Sequence, residues 1–325
     1  MGVFMREIRY LQAVTEAVRT EMAQDENIFY MGEDVRHSLK GITRGFIEEF
    51  GPDRIIDTPI SEQGFVGIAT GAAIQGMRPI LEFEISEFVF FAFDEIIDQA
   101  QKFFYMSGGK IKVPVTYIVP TLLGSIAGQH SDAPYPYVMH AGMKTIMPSS
   151  PYDAKGLVTS AIRDNDPVVV FLPAKIIGRK GMVPEEQYAI PLGVGEIKKE
   201  GSDITIVATG HLVSEALEVS DSLESEGYSL EIFDPRTLLP LDRSLLKKSI
   251  EKTGRVIIFD DSNRTCGFAA EVAAYISDQC FDSLKTAIKR ITRADVPVPF
   301  SPILEKQVLP GKIQLIEAIH RIIKK

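Results

Sequence analysis

Cysteine is nearly absent: Cys266 and Cys280 are the two in 325 residues. A disulfide framework needs more of them, and their spacing matches no metal pattern. The chain therefore reads as a protein of the reducing cytoplasm. Long apolar runs are missing too, and no segment approaches the ~18 residues of a membrane helix. The start, MGVFMREIRY, lacks the apolar stretch of a signal peptide, and Arg6 breaks the myristoylation pattern. A basic excess is also missing. Lys and Arg number 35 against 44 Asp and Glu, a net charge of −9, which argues against nucleic acids and anionic membranes as partners. Neither a G-x-S-x-G elbow nor a P-loop occurs.

What is present is ample core: 45% of residues are apolar and 24% charged, the profile of a globular protein. The length suggests two domains. Short β-rich runs alternate with helical ones. Helices are expected over 10–22, 62–76, 88–106, 149–163, 212–227, 242–252, 268–280 and 312–323. Strands are expected over 27–35, 78–85, 113–119, 167–172, 203–209, 230–234, 255–261 and 287–291. Near-continuous apolar strands between helices mean parallel sheets covered on both faces. The expected architecture is α/β, two doubly wound, mostly parallel sheet domains. Domain one spans 1–185, a linker 186–200 and domain two 201–325. The stretch 173–200 is rich in Pro and Gly without a clear period and reads as connecting chain.

Several local patterns invite chemistry. In DTPISEQGFVGIATGAA (57–73), Glu62 opens a run without another charge as far as Met77. It reads either as an N-terminal acid favoured by the helix dipole or as a carboxylate held in an apolar pocket for a nitrogen base. Gly64, Gly67 and Gly71 share one face of that helix. They imply close approach of another backbone or of a ligand. Phe88, Phe90, Phe91 and Phe93 crowd one helix start, where core packing is the simpler reading. His130 and His140, two of five histidines, lie in the irregular stretch 120–142. Loops of that length in compact domains usually serve a site or disorder, and loop hydrogen bonding is the alternative role. Ser150, Pro151 and Asp153 form a strong helix start.

A wider set of segments follows one family in order: MGEDV (31–35), DTPISEQGFVGIATGAA (57–73), GMRPILEFE (76–84), YMSGGK (105–110), GQHSD (128–132), SPYDAKGL (150–157), AIRDNDPVVVF (161–171), DPRTLLPLD (234–242) and GFAAEVAA (267–274). Along essentially its whole length the chain resembles the β subunit of thiamine-diphosphate-dependent 2-oxo acid dehydrogenases, in the transketolase-like superfamily. The resemblance implies a pyrimidine-binding domain followed by a transketolase C-terminal-like domain. It implies that Glu62 meets N1′ of the cofactor's aminopyrimidine, that Phe88 stacks on that ring, and that His130 handles protons or contacts substrate and lipoyl group. Glu33 is a further site candidate. A potassium ion would lie on the backbone carbonyls of Val115, Ala161, Ile162, Asp164 and Asp166.

The family's diphosphate and Mg²⁺ motif begins Gly-Asp-Gly, and no such tripeptide occurs here. The resemblance therefore implies that an α subunit supplies magnesium and diphosphate binding, in an α₂β₂ heterotetramer whose cofactor sites lie at α–β interfaces. It implies oxidative decarboxylation of pyruvate or a branched-chain 2-oxo acid, acyl transfer to a lipoyl group, and docking of a lipoyl acyltransferase core on residues near 200–325. An acetoin-cleaving relative is a close variant. An assembly subunit without chemistry and a self-sufficient transketolase-like enzyme are the rivals. Some positions depart from the family. Asp132 stands where Gln is usual, HAGMK (140–144) is one residue short, Asp261 replaces Glu, and Cys266 replaces Gly.

Overall fold

The computed structural model describes residues 4–124 and 126–323. The first three residues of the start, Met1 to Val3, lie outside the described residues. Contacts divide the chain into two units: Met1–Leu122 with Tyr137–Leu192, and Leu123–Pro136 with Gly193–Lys325.

The first unit begins with β1 (Met5–Arg9), α1 (Tyr10–Gln24), β2 (Ile28–Gly32), α2 (Phe46–Phe50), β3 (Ile55–Asp57), α3 (Glu62–Ile74) and β4 (Arg78–Glu82). It continues through α4 (Phe103–Met106), β5 (Thr116–Thr121), α5 (Tyr135–His140, which begins in the second unit's segment), β6 (Lys144–Ile146), α6 (Pro151–Arg163), β7 (Val168–Pro173) and β8 (Lys180–Pro184). Six of its strands lie in the order β6-β7-β5-β4-β2-β3, parallel throughout. The helices α1 and α6 pack on each other over the core. The face of α1 toward the core is Tyr10, Ala13, Val14, Ala17, Val18 and Met22, all buried. Small residues recurring at helical spacing let the two helices close tightly. Ser150 caps α6 as its sequence predicts, accepting the Asp153 amide, with Pro at the first helical position.

The second unit holds β9 (Glu196–Lys199), β10 (Ile204–Ala208), α7 (His211–Glu224), β11 (Leu230–Asp234), β12 (Thr237–Leu239), α8 (Arg243–Thr253), β13 (Val256–Asn263), α9 (Phe268–Gln279), β14 (Lys289–Arg293), α10 (Pro302–Val308) and α11 (Lys312–Ile323). Its sheet runs β14-β13-β10-β11-β9, parallel except for the antiparallel edge strand β9. The α/β, doubly wound, mostly parallel expectation matches both sheets.

Three expectations differ from the structure. The supposed connecting stretch 173–200 contains β8, which pairs antiparallel with β1, and β9. Neither strand is strongly apolar: β8 turns Lys180 and Met182 to solvent, and β9 is half-buried along its length at the sheet edge. The single helix expected over 88–106 is broken into a 3₁₀ segment (Ser86–Ala92), a π segment (Asp94–Ala100) and α4. Periodicity reading assumes a constant 3.6-residue pitch, and here the pitch changes twice. Residues 123–136, placed in domain one by the sequence, group with the second unit.

Candidate active site

Three elements of the first sheet bring acids to its carboxyl edge, where open parallel sheets hold their ligands. In register there, Gly32 of β2 stands opposite Glu82 of β4 on one side and Asp57 of β3 on the other. A Cβ on Gly32 would lie 2.6 Å from the Glu82 carbonyl oxygen, so only glycine lets the strands run this close. Glu33 follows at once, half-buried. Glu62 opens α3 and is 6% exposed. Among the described residues its carboxylate takes no hydrogen bond, and Ser61, at the N-cap position, makes no side-chain cap. A buried carboxylate without a donor is costly. The simple role of helix-dipole partner does not explain why this residue is 6% exposed.

Two of these acids are raised, chiefly by burial. Burial, and then the Glu62, Glu84 and Asp34 charges, push the Glu33 carboxyl up to about 7. Burial pushes Glu82 up to about 7 as well, against the opposing hydrogen bond from the Tyr30 hydroxyl. Glu84 adds to this rise, while Lys40, which pairs with Glu84 at 2.7 Å, works against it. Glu82 and Glu84 were not singled out from sequence. An acid inside the apolar run RPILEFE was the available signal.

Phe88 lies half-buried in the 3₁₀ segment that packs on α3. Its ring centroid is 5.7 Å from that of Phe91. The cluster is not core as the composition suggested: Phe91 is 63% exposed and Phe90 39%. The glycine face of α3 is also open. Nothing stands within 4 Å of a Cβ on Gly71, the nearest atom to one on Gly67 is the Glu95 Cγ at 3.7 Å, and neighbouring Ile68 is 64% exposed. Close packing inside the chain therefore does not account for Gly67 or Gly71.

Of the carbonyls proposed for potassium, that of Val115 accepts the Val168 amide and that of Ala161 accepts Asp164 N–H. The Arg78 guanidinium donates to the carbonyls of Ile162, at 2.7 Å, and Asp164, at 2.5 Å. The carboxylates of Asp164 and Asp166 pair with Lys144, both at 2.8 Å. Arg78 thus occupies two of these carbonyls, and Lys144 the two carboxylates.

His130 belongs to the second unit, half-buried in a turn where its amide donates to Ala127 O. Ala127 sits at φ +70°, an uncommon conformation for a residue with a Cβ. Next to this turn the carboxyl ends of β13 and β14 supply a buried network. Tyr135 donates to Asp260 and, at 2.7 Å, to Asp261, and the His211 Nδ1 lies 3.5 Å from Asp261. Arg293 pairs with Asp132. His140 is exposed at the end of α5. Among the described residues no cluster of three or more His, Cys, Asp or Glu is arranged for a metal, and no helix is long and apolar enough to cross a membrane.

Both halves of the chain match known families. The transketolase pyrimidine-binding domain family matches residues 6–178, and the transketolase C-terminal domain family matches 193–315. The chain belongs to this transketolase-like family. It is 45% identical to the acetoin:2,6-dichlorophenolindophenol oxidoreductase subunit beta of Bacillus subtilis over 94% of each chain. It is 39% identical to the pyruvate dehydrogenase E1 component subunit beta of the same organism, over 98% of this chain and all of the relative. A solved structure described as a split gene transketolase, inactive beta4 tetramer, has the same fold. Its TM-score is 0.78 at 23% identity, over 98% of each chain.

Proposed function

We propose that this chain is the β subunit of the decarboxylating component of a 2-oxo acid dehydrogenase complex, acting in the cytoplasm on pyruvate or a branched-chain 2-oxo acid and delivering the acyl group to a lipoyl carrier. The observation that carries the reading is Glu62: a buried residue whose carboxylate takes no hydrogen bond among the described residues, in the domain matched by the pyrimidine-binding family. Its residues fit the aminopyrimidine end of thiamine diphosphate. An acid shielded from water and lacking a partner suits a ring nitrogen, and Phe88, on the segment packed against the same helix, offers an aromatic face. When bound, the cofactor supplies a nucleophilic carbon and an electron sink for breaking the bond beside a carbonyl.

The chain's own residues then divide the work. Glu62 holds a proton shared with the pyrimidine nitrogen in a dry setting, where such a contact is strong. Glu33, with its carboxyl raised to about 7, stands ready to take or give a proton at neutral pH. His130 serves proton handling or contact with substrate and lipoyl group. The missing Gly-Asp-Gly leaves magnesium and the diphosphate to an α subunit in an α₂β₂ assembly. The open glycine face of α3 and the exposed Phe91 are surfaces for that partner. The second unit carries the contact with the acyltransferase core. Potassium, on the carbonyls of Val115, Ala161, Ile162, Asp164 and Asp166, would share those of Ile162 and Asp164 with Arg78 and those of Val115 and Ala161 with backbone amides. If it does, exchanging potassium for choline should lower the melting temperature of the assembled enzyme by several degrees. Equal melting in both salts removes the ion.

A second reading has an observation in its favour. The 45% identity to an acetoin oxidoreductase subunit exceeds the 39% to pyruvate dehydrogenase. Acetoin is cleaved by the same cofactor chemistry without loss of CO₂. The decisive experiment is mild affinity purification of the tagged chain from its native cells. A stoichiometric partner carrying Gly-Asp-Gly is expected, and the pair should turn over pyruvate, branched-chain 2-oxo acids or acetoin. A chain isolated alone as a stable homo-oligomer, inactive with all three, overturns the reading.

A further inference from the structure

The segment bearing His130 leans on one stretch of the second unit, Arg293–Glu305. A Cβ on Gly124 would fall 2.6 Å from the Glu305 Oε1, and one on Gly128 3.4 Å from Pro297 Cβ. The third contact is charged. Arg293, the last residue of β14, is 4% exposed. It pairs with Asp132 and donates to the Ser131 carbonyl at 3.3 Å from Nη1. Its other terminal nitrogen also donates to the Asn263 side chain at the end of β13. A cavity of about 250 Å³ opens there, lined by Gly128, Asp132, Asn263, Arg293, Asp295 and Pro297 among others. So one guanidinium grips both residues that follow His130. Tyr135, on the buried Asp260 and Asp261, fixes the segment's far end.

We propose that Arg293 is a positioning residue. Through Asp132 and the Ser131 carbonyl it sets where His130 presents its imidazole. This rests on the reading of His130 as a catalytic group. A planar fork bonded to adjacent residues fixes orientation as well as distance, which a lysine ammonium does not. The turn it braces contains a non-glycine residue at positive φ, a conformation that persists only where neighbours over-determine it. Releasing the tie lets the turn relax, and displacement of a catalytic group by about 1 Å costs about 100-fold in rate.

The test uses the enzyme assembled with its co-purified partner. Arg293→Met should lower kcat about 100-fold with little change in the KM for the donor, while oligomeric mass and circular dichroism stay as in the wild type. Arg293→Lys should fall between them. Arg293→Ala should regain activity with millimolar guanidinium, a rescue that a collapsed fold would not give. Should the Arg293 variants fail to fold, Asp132→Asn keeps a neutral partner in place and is expected to lose about tenfold. His130→Gln separates the two layers. If it is inactive while Arg293→Met and Asp132→Asn turn over like the wild type, the positioning role is wrong. If His130→Gln is itself fully active, the reading of His130 fails and the proposal falls with it.

Discussion

Glu62→Gln in the assembled enzyme should lose turnover by about 10²–10⁴-fold, the range carried by a positioned acid–base group. The replacement keeps the size and burial of the side chain and removes its ability to hold a proton. The side chain is 6% exposed, and its carboxylate takes no hydrogen bond among the described residues. Because a partnerless buried carboxylate is destabilising, the isolated variant chain should melt at a higher temperature than the wild type. Activity falls while stability rises, the pattern of a group kept for chemistry. Donor-dependent reduction of an artificial electron acceptor and thermal melts measure the two halves. Wild-type turnover in the assembled variant would return the chain to the role of an assembly subunit.

The second large effect concerns Glu82. Its carboxyl is raised from 4.5 to about 7, mainly by burial. A carboxyl raised on folding takes up a proton, so its contribution to stability is complete below the unfolded value and is lost as pH climbs through the folded one. The window is therefore about 4.5 to 7. A shift of that size corresponds to about 3 kcal/mol, at 1.36 kcal/mol per pH unit. Glu33 acts in the same direction with a smaller share, because it is more open to solvent. Glu82→Gln keeps an acceptor for the Tyr30 hydroxyl and removes the titration. The variant should gain on the wild type by about 3 kcal/mol between pH 4.5 and pH 8. Urea unfolding of both proteins across that range checks it, and parallel stability curves would show that Glu82 does not take up a proton on folding.

Some of this was legible before folding. The inner strands β2, β4, β5, β7, β10, β11 and β13 are short apolar runs between helical stretches, and burial on two faces demands that composition. The start of α6 could be read because Ser150, Pro151 and Asp153 act over three residues. Glu62, as the lone charge in its run, marked itself. The glycine face was visible as a pattern, yet its exposure was not, since burial depends on what the rest of the chain covers.

What the sequence by itself determined is the local and the periodic: two α/β halves, most helices, the Ser150 cap of α6, and the absence of a diphosphate motif. Tertiary structure alone decided the groupings that span long stretches of chain. Edge strands β8 and β9 lack an apolar signature because neither is buried on both faces, and their partners define them. Glu82 becomes an acid of raised affinity for protons only when the sheet closes over it, against the opposing hydrogen bond from Tyr30, 52 residues away. Arg293 meets Ser131 across 162 positions. A charge reads as a solvated side chain until folding excludes water from it, and exclusion of water is a property of the packed molecule, with no local trace in the chain.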